Sequence, residues 1–220
     1  MNSRPCSERP LREAFLVRSS PLPDPHRKFR DRATRLKRAL LNEQRKFGHI
    51  DDGAGNRYLI GPLYVLAGDL EDALNFYKWY ETECSDDSGE PMNYVYWALA
   101  LHRTGAIELA NTKLLETMLR NVYLLPMLLD SSPAPYDIFH GSNWDQREYA
   151  AEVPAELLPQ FSDSERSWIT EQLESFRFRR VLREYISTYR SLNTERDIEK
   201  RRTILKRWRA FVEREVGGDG

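Results

Sequence analysis

Four histidines and two cysteines are this chain's whole stock of nitrogen and sulfur ligands. His26, His49, His102 and His140 lie far apart in unlike sequence, and Cys6 and Cys84 form no CxxC pair. A structural zinc site needs four such ligands at close spacings, so none is expected. His140 is the one histidine with carboxylates near it in sequence, Asp137 and Asp145. That trio could perform acid–base work or hold an ion. No second His or Cys joins it, and a loop histidine held by hydrogen bonds is the simpler expectation. Asp86, Asp87 and Glu90 in the run CSDDSGEP supply oxygens of the calcium type, but the ligand order of an EF-hand is missing. The chain also has no P-loop, no dinucleotide fingerprint, no HExxH and no GxSxG. The expectation is therefore a non-catalytic chain, with no catalytic residue, no cofactor and no metal.

A different chemistry is written near the C-terminus. The run KRRTILKRWRAF at 200–211 interleaves cations with aromatic rings. Lys200, Arg201, Lys206 and Arg207 are candidates for nucleic-acid contact, as a basic helix would use them. Trp208 falls on the apolar stripe of Ile198, Leu205 and Val212, which points it inward instead.

Charge is unevenly placed although it nearly cancels. Residues 1–48 carry 13 Lys and Arg against 5 Asp and Glu; residues 49–164 carry 6 against 19; residues 165–220 carry 14 against 10. An acidic middle between basic ends predicts packing of the ends on the middle, or an acidic partner for the ends. Hydrophobic content of 40% over 220 residues suits one substantial core. Two cysteines are too few for a disulfide framework and suit a reducing, cytoplasmic setting. No apolar run is long enough for a membrane span, so no membrane partner is expected.

The elements that must position any site read as helices. Residues 1–28, rich in proline and arginine, predict a disordered or extended basic arm. Asp31–Phe47 is amphipathic, and HIDDGAG at 49–55 follows as a loop with capping carboxylates. Four helices are then predicted over 54–67, 70–83, 91–104 and 106–120, with Pro62 inside the first. Val122–Leu129 is a short apolar helix, and 131–145 an irregular segment anchored by Tyr136, Phe139 and Trp144. Short helices follow at 146–150 and 154–158. Ser162 caps a long helix reaching Tyr189, with Ile169, Leu173, Phe176, Leu182 and Tyr185 inward; a last helix runs from Thr194 to Glu215.

The central four helices form one pattern written twice. Gly68 and Gly105 stand 37 residues apart, and at the same offset Leu70 answers Ile107, Ala73 answers Ala110, and Tyr77 answers Leu114. Repetition at such a period predicts stacked helical hairpins that cannot bury their faces alone. Each glycine ends a helix. Gly61 and Ala73 are small residues expected to face each other and let two helices approach.

Small residues at Gly61 and Ala73, aromatics at Tyr64 and Tyr77, and the turn at Gly68 resemble the tetratricopeptide repeat. Tyr80 and Thr117 stand where that repeat has alanine, Val122 where it has proline, and Arg57 and Tyr94 where it has tryptophan. The wider run from HIDDGAGNRYLIGPLYVLAGDLEDAL to NVYLLPMLLDSSPAPYDIFHGSNWDQREYA is similar to the family named for suppressor of tumorigenicity, a tetratricopeptide-like group without assigned catalysis. This resemblance covers about residues 33–150. It implies an all-α, right-handed stack of antiparallel hairpins over 29–160, a tetratricopeptide-like α-solenoid; the C-terminal helical hairpin expected at 161–216 is read from its own apolar spacing and lies outside the resemblance. The resemblance also implies a protein–protein interaction scaffold whose concave groove is lined by Tyr58, Pro62, Val65 and Leu66, then Val95, Leu99, His102 and Arg103. The family's clamp for peptide C-termini takes Lys, Asn and Arg at such positions. Here the lining is mainly apolar, and such a groove must be filled by an unidentified protein partner, by self-association, or by the chain's own C-terminal hairpin or 131–145 segment.

Overall fold

The computed structural model describes residues 26–217, and every element among them is helical. Ten α-helices follow in order: α1 (Arg27–Phe47), α2 (Arg57–Leu66), α3 (Leu70–Glu83), α4 (Pro91–Arg103), α5 (Ile107–Arg120), α6 (Leu124–Leu128), α7 (Arg147–Glu152), α8 (Asp163–Glu174), α9 (Phe176–Thr194) and α10 (Ile198–Val216). The expected arm lies outside the described residues up to position 25, while Arg27 and Lys28 already belong to α1.

The molecule is assembled around α4. Every residue of it from Pro91 to Leu101 is buried. A helix apolar on all sides must be enclosed on all sides. It packs on α5, α2 and α3, while α1 lies against α2 and α9 against α10. Its remaining face is covered by the segment 144–168, as the side-chain contacts below show.

The turns are built as their residues dictate. Gly68 and Gly105 adopt φ of 77° and 82°, a left-handed conformation that glycine accepts at little cost. Glu90 caps α4, accepting the Asn93 N–H at 2.6 Å, and Pro91 fills the first position, where no N–H is needed. The Asp52 carboxylate accepts the Asn56 and Arg57 N–H groups at 2.9 and 2.7 Å and so fixes the entrance to α2. The basic first helix meets the acidic middle through Arg30–Asp69 and Arg32–Glu156.

Four expectations need correction. The long helix predicted over 162–189 is two helices: Ser175 is extended, and its hydroxyl caps α9 by accepting the Phe178 N–H. Phe176, expected inward, is 76% exposed, and Phe178 and Val181 are buried in its place. The last helix begins at Ile198, where Asp197 caps it, rather than at Thr194. Ala73 is not the nearest neighbour of Gly61: a methyl group there would meet the ring of Tyr77 first.

Candidate functional site

A concavity opens between α2 and the strip 144–157. It encloses about 780 Å³, within the range of small-ligand and peptide side-chain pockets. Tyr58, Leu59 and Pro62 of α2 form its floor, Glu90 and Met92 its inner end, and Trp144, Tyr149 and Val153 its outer wall. Pro62 has no N–H to offer the Tyr58 carbonyl, so that acceptor loses its usual helical partner on the same side of α2.

Three polar anchors hold the strip. The Asn121 side-chain amide donates to the Trp144 and Gln146 carbonyls at 2.7 and 2.9 Å. The Tyr149 hydroxyl accepts the Met92 N–H at 3.3 Å, and the Tyr96 hydroxyl donates to the Leu157 carbonyl at 2.9 Å. Trp144 then rests its edge on Tyr58, with ring centroids 5.2 Å apart at 87°. Tertiary hydrogen bonds of this kind leave no periodic trace in sequence, which is why the strip's role is invisible there.

Charges in the cleft divide into engaged and unengaged. Arg57 donates to Asp87 at 2.6 Å and lies over the Tyr58 ring; the Tyr58 hydroxyl donates to the same carboxylate at 2.7 Å. Burial and the Asp87 acceptor both push the Tyr58 hydroxyl pKa far up, so it stays protonated. Arg32 is held by Glu156 at 3.1 Å. That leaves Glu90 and Glu152 lining the cleft, neither in an ion pair with any described residue.

Burial pushes the Glu90 carboxyl up to about 7, against the opposing pull of the Asn93 and Met92 N–H groups. The sign for stability follows. Between the ordinary Glu value and about 7 the folded chain binds more protons than the unfolded one, so stability falls as pH rises through that window. Glu90→Gln keeps the capping oxygen and removes the titration. The variant is expected to lose this slope, with its urea midpoint gaining on wild type between pH 5 and 8. Parallel midpoints across that range would contradict the buried placement of the carboxyl.

Beyond the Arg32–Glu156 bridge a second groove of about 540 Å³ continues past Phe29, Val65, Leu66, Tyr96, Arg103 and Leu158. The expected groove residues therefore separate. Tyr58 and Pro62 line the first cleft; Val65, Leu66 and Arg103 line the second. Val95 and Leu99 line neither; both are 1% exposed within the core. His102 stacks on Trp168 with centroids 4.1 Å apart, and Arg103 pairs with Glu165 at 2.7 Å. The physical reason is the apolar girth of α4, which the chain covers with its own strip and α8. Of the segment 131–145 only Trp144 reaches the first cleft; the stretch before it runs against α9, where the Phe139 N–H donates to the Tyr189 carbonyl. Trp144 anchors as expected. Tyr149, Glu90 and Glu152 were not foreseen as site residues; Glu90 alone had a local signal, a carboxylate directly before a helix-starting proline.

The histidine trio does not converge. His140 Nδ1 lies 3.2 Å from Asp145, whose other oxygen accepts the Gly141 N–H at 2.7 Å. Asp137 is bound instead by Asn193 of α9. Among the described residues no three His, Cys, Asp or Glu side chains are grouped to hold a metal ion, and no helix is long and apolar enough to cross a membrane.

On α10 the basic candidates divide too. Lys200, Lys206 and Arg207 are exposed. Arg201 instead donates to the Leu192 and Glu195 carbonyls, closing the end of α9, and lies over Phe139. Trp208 packs edge-on against Tyr185 and Tyr189, so its ring is withdrawn from any base-stacking role. Compared with protein families, curated proteins and solved structures, the chain matches none.

Proposed function

We propose that this chain is a non-catalytic peptide-binding scaffold of tetratricopeptide type, related to the suppressor of tumorigenicity group. In this reading α2–α3 and α4–α5 are successive antiparallel hairpins of a right-handed stack, and α8 to α10 close its far end. One observation supports it above the rest: two clefts lie end to end along α2, walled by α1 on one side and the strip 144–160 on the other. The span from Arg57 to Gly68 is about 17 Å at the helical rise, room for about five residues of extended peptide. The strip takes up the inner face of α4 and leaves α2 as the recognition helix. The partner is thus read against α2 and not against both hairpins.

Selection of peptides from a random library on the full chain tests this reading. Ala54 and Ala155 are exposed residues of the first and second cleft. Tryptophan at either position should fill its cleft without disturbing the core. Selected peptides are expected to lose binding to Ala54→Trp or Ala155→Trp while melting temperatures stay at the wild-type value. Peptides that bind all three proteins equally would place the interaction elsewhere.

A second reading rests on α10, where Lys200, Lys206, Arg207 and Arg209 are exposed and joined by an ion pair to no carboxylate among the described residues. A nucleic-acid surface there would bind with an affinity falling about one decade per decade of salt for each phosphate neutralised. The absence of an exposed ring on that helix's stripe places this reading second.

A further inference from the structure

We propose that the cleft beside α2 recognises a cation, the ammonium or guanidinium of a Lys or Arg side chain in the bound peptide, held between the rings of Trp144 and Tyr149 and the carboxylate of Glu90. This rests on the peptide-binding reading and adds the chemistry of what is read.

The charge balance of the cleft carries the inference. Its two cations are spoken for: Arg57 by Asp52 and Asp87, Arg32 by Glu156. Asp52 is spent on the entrance to α2 and on Arg57, with its side chain 3% exposed. Glu90 from the α4 cap and Glu152 from α7 have no ion-pair partner among the described residues. An anionic ligand would find no free positive group in this lining. A neutral apolar side chain would shut Glu90 further from water with only the Asn93 and Met92 N–H groups as partners, leaving its charge without a counter-ion. An ammonium answers both the carboxylate and the ring faces, since aromatic quadrupoles attract cations within about 6 Å of a centroid. Tyr58 contributes less than the other rings, because Arg57 already covers one of its faces at 4.3 Å.

Protonation supports the same assignment. The charged and titratable groups that share the cleft lining with Glu90 are Asp52, Arg57 and Tyr58, Tyr149 and Glu152 from α7, and the Arg32–Glu156 pair; on its inner side Glu90 acts on Tyr77 of α3. With a value raised to about 7, Glu90 is mostly neutral in mild acid and mostly ionised in mild base. A bound cation favours the ionised form, so binding strengthens as pH rises.

The test titrates Nα-acetyl-lysine methylamide into the full chain and follows the indole N–H resonance of Trp144, assigned with Trp144→Phe. The uncharged norleucine analogue serves as comparison. The lysine compound is expected to give a saturable shift that norleucine does not, weakened about fivefold from pH 8 to pH 6 as most of the Glu90 carboxylate is protonated. Glu90→Gln is expected to weaken binding about tenfold, the loss of one charge-assisted contact. Glu152→Gln, on an exposed side chain that the fold does not need, should weaken it about threefold, as a solvated pair does. Equal shifts from lysine and norleucine, or a Glu90→Gln protein that binds as wild type, would overturn the cation assignment. The two readings fail separately. Selected peptides that need the cleft but lack Lys and Arg would sink this inference and keep the scaffold. Lysine binding that depends on Glu90, with no peptide selected, would sink the peptide as its source.

Discussion

Gly61→Ala is expected to unfold this protein at a markedly lower urea concentration, although alanine is the better helix former. A methyl group at Gly61 would sit 2.3 Å from Cζ of Tyr77, 2.4 Å from its hydroxyl oxygen and 2.6 Å from Cε1. The ring has nowhere to go. Tyr77 is fully buried, stacked on Trp97 with centroids 4.7 Å apart at 4°, and its hydroxyl donates to the Asn93 carbonyl at 3.1 Å. Alanine returns about 1 kcal/mol of helix propensity. Overpacking costs about 1–3 kcal/mol, and a displaced buried hydroxyl costs about 1–3 more. The net loss is about 1–5 kcal/mol. Gly61→Leu should lose more. In the double variant Gly61→Ala with Tyr77→Phe, part of the clash disappears with the hydroxyl, so the two costs should sum to more than the double variant shows. Gly68→Ala separates space from conformation: nothing lies within 4 Å of a methyl there, but its φ of 77° should cost about 1–2 kcal/mol by itself. An unchanged midpoint for Gly61→Ala would remove α2 from its place against α3.

That close approach was half legible. The small residue at Gly61 announced that something must pack tightly on α2, but not which residue. Helix bounds were legible where chemistry is local: Gly68 and Gly105 end helices because they turn left-handed, and Glu90–Pro91 starts one. The break at Ser175 was hidden by continuity. Ile169, Leu173 and Phe176 keep a helical spacing straight across it, so the stripe read as unbroken. In the fold Phe176 is solvent-exposed and the buried stripe restarts at Phe178 and Val181. A serine hydroxyl able to cap the next turn was the only competing signal.

The site was legible to a smaller degree. Tyr58, Pro62, Val65, Leu66 and Arg103 line concave space in the fold. Val95 and Leu99 do not, because α4 is covered by other parts of the chain. Its all-round apolarity was on view in YVYWALAL, and it required a cover on every side. The cover is a strip with two short helices and no period, held by hydrogen bonds from Asn121, Tyr96 and Tyr149. Those bonds join positions 23 to 61 residues apart, and no local pattern encodes them.

Asn121 is the anchor on which the cleft most depends, and its substitution is expected to cost both stability and binding. The residue is fully buried at the end of α5. Its amide donates to the Trp144 and Gln146 carbonyls, and its oxygen accepts the Tyr123 and Leu124 N–H groups, each at 2.9 Å. All its polar capacity is used on two segments that it ties together. Asn121→Ala strands the amide's and oxygen's former partners, at a cost of about 2–4 kcal/mol in the urea midpoint. Asn121→Asp is more telling. It keeps an oxygen for Tyr123 and Leu124 but turns the other toward two carbonyls. Ionised, that oxygen repels them; protonated, it donates to one. The folded carboxyl should therefore titrate above its ordinary value, and the variant's stability should fall as pH rises through that raised value. Asparagine has no such dependence, so the difference between the two proteins should widen from pH 5 to 8. Hydrogen exchange should show the consequence for the site. Amides of 144–152 are expected to lose protection in Asn121→Ala while the buried amides of α4 keep theirs relative to global unfolding. If 144–152 stays protected and the peptide still binds, the strip is held by its aromatic contacts alone. Trp144 on Tyr58 would then be the hinge of the cleft wall.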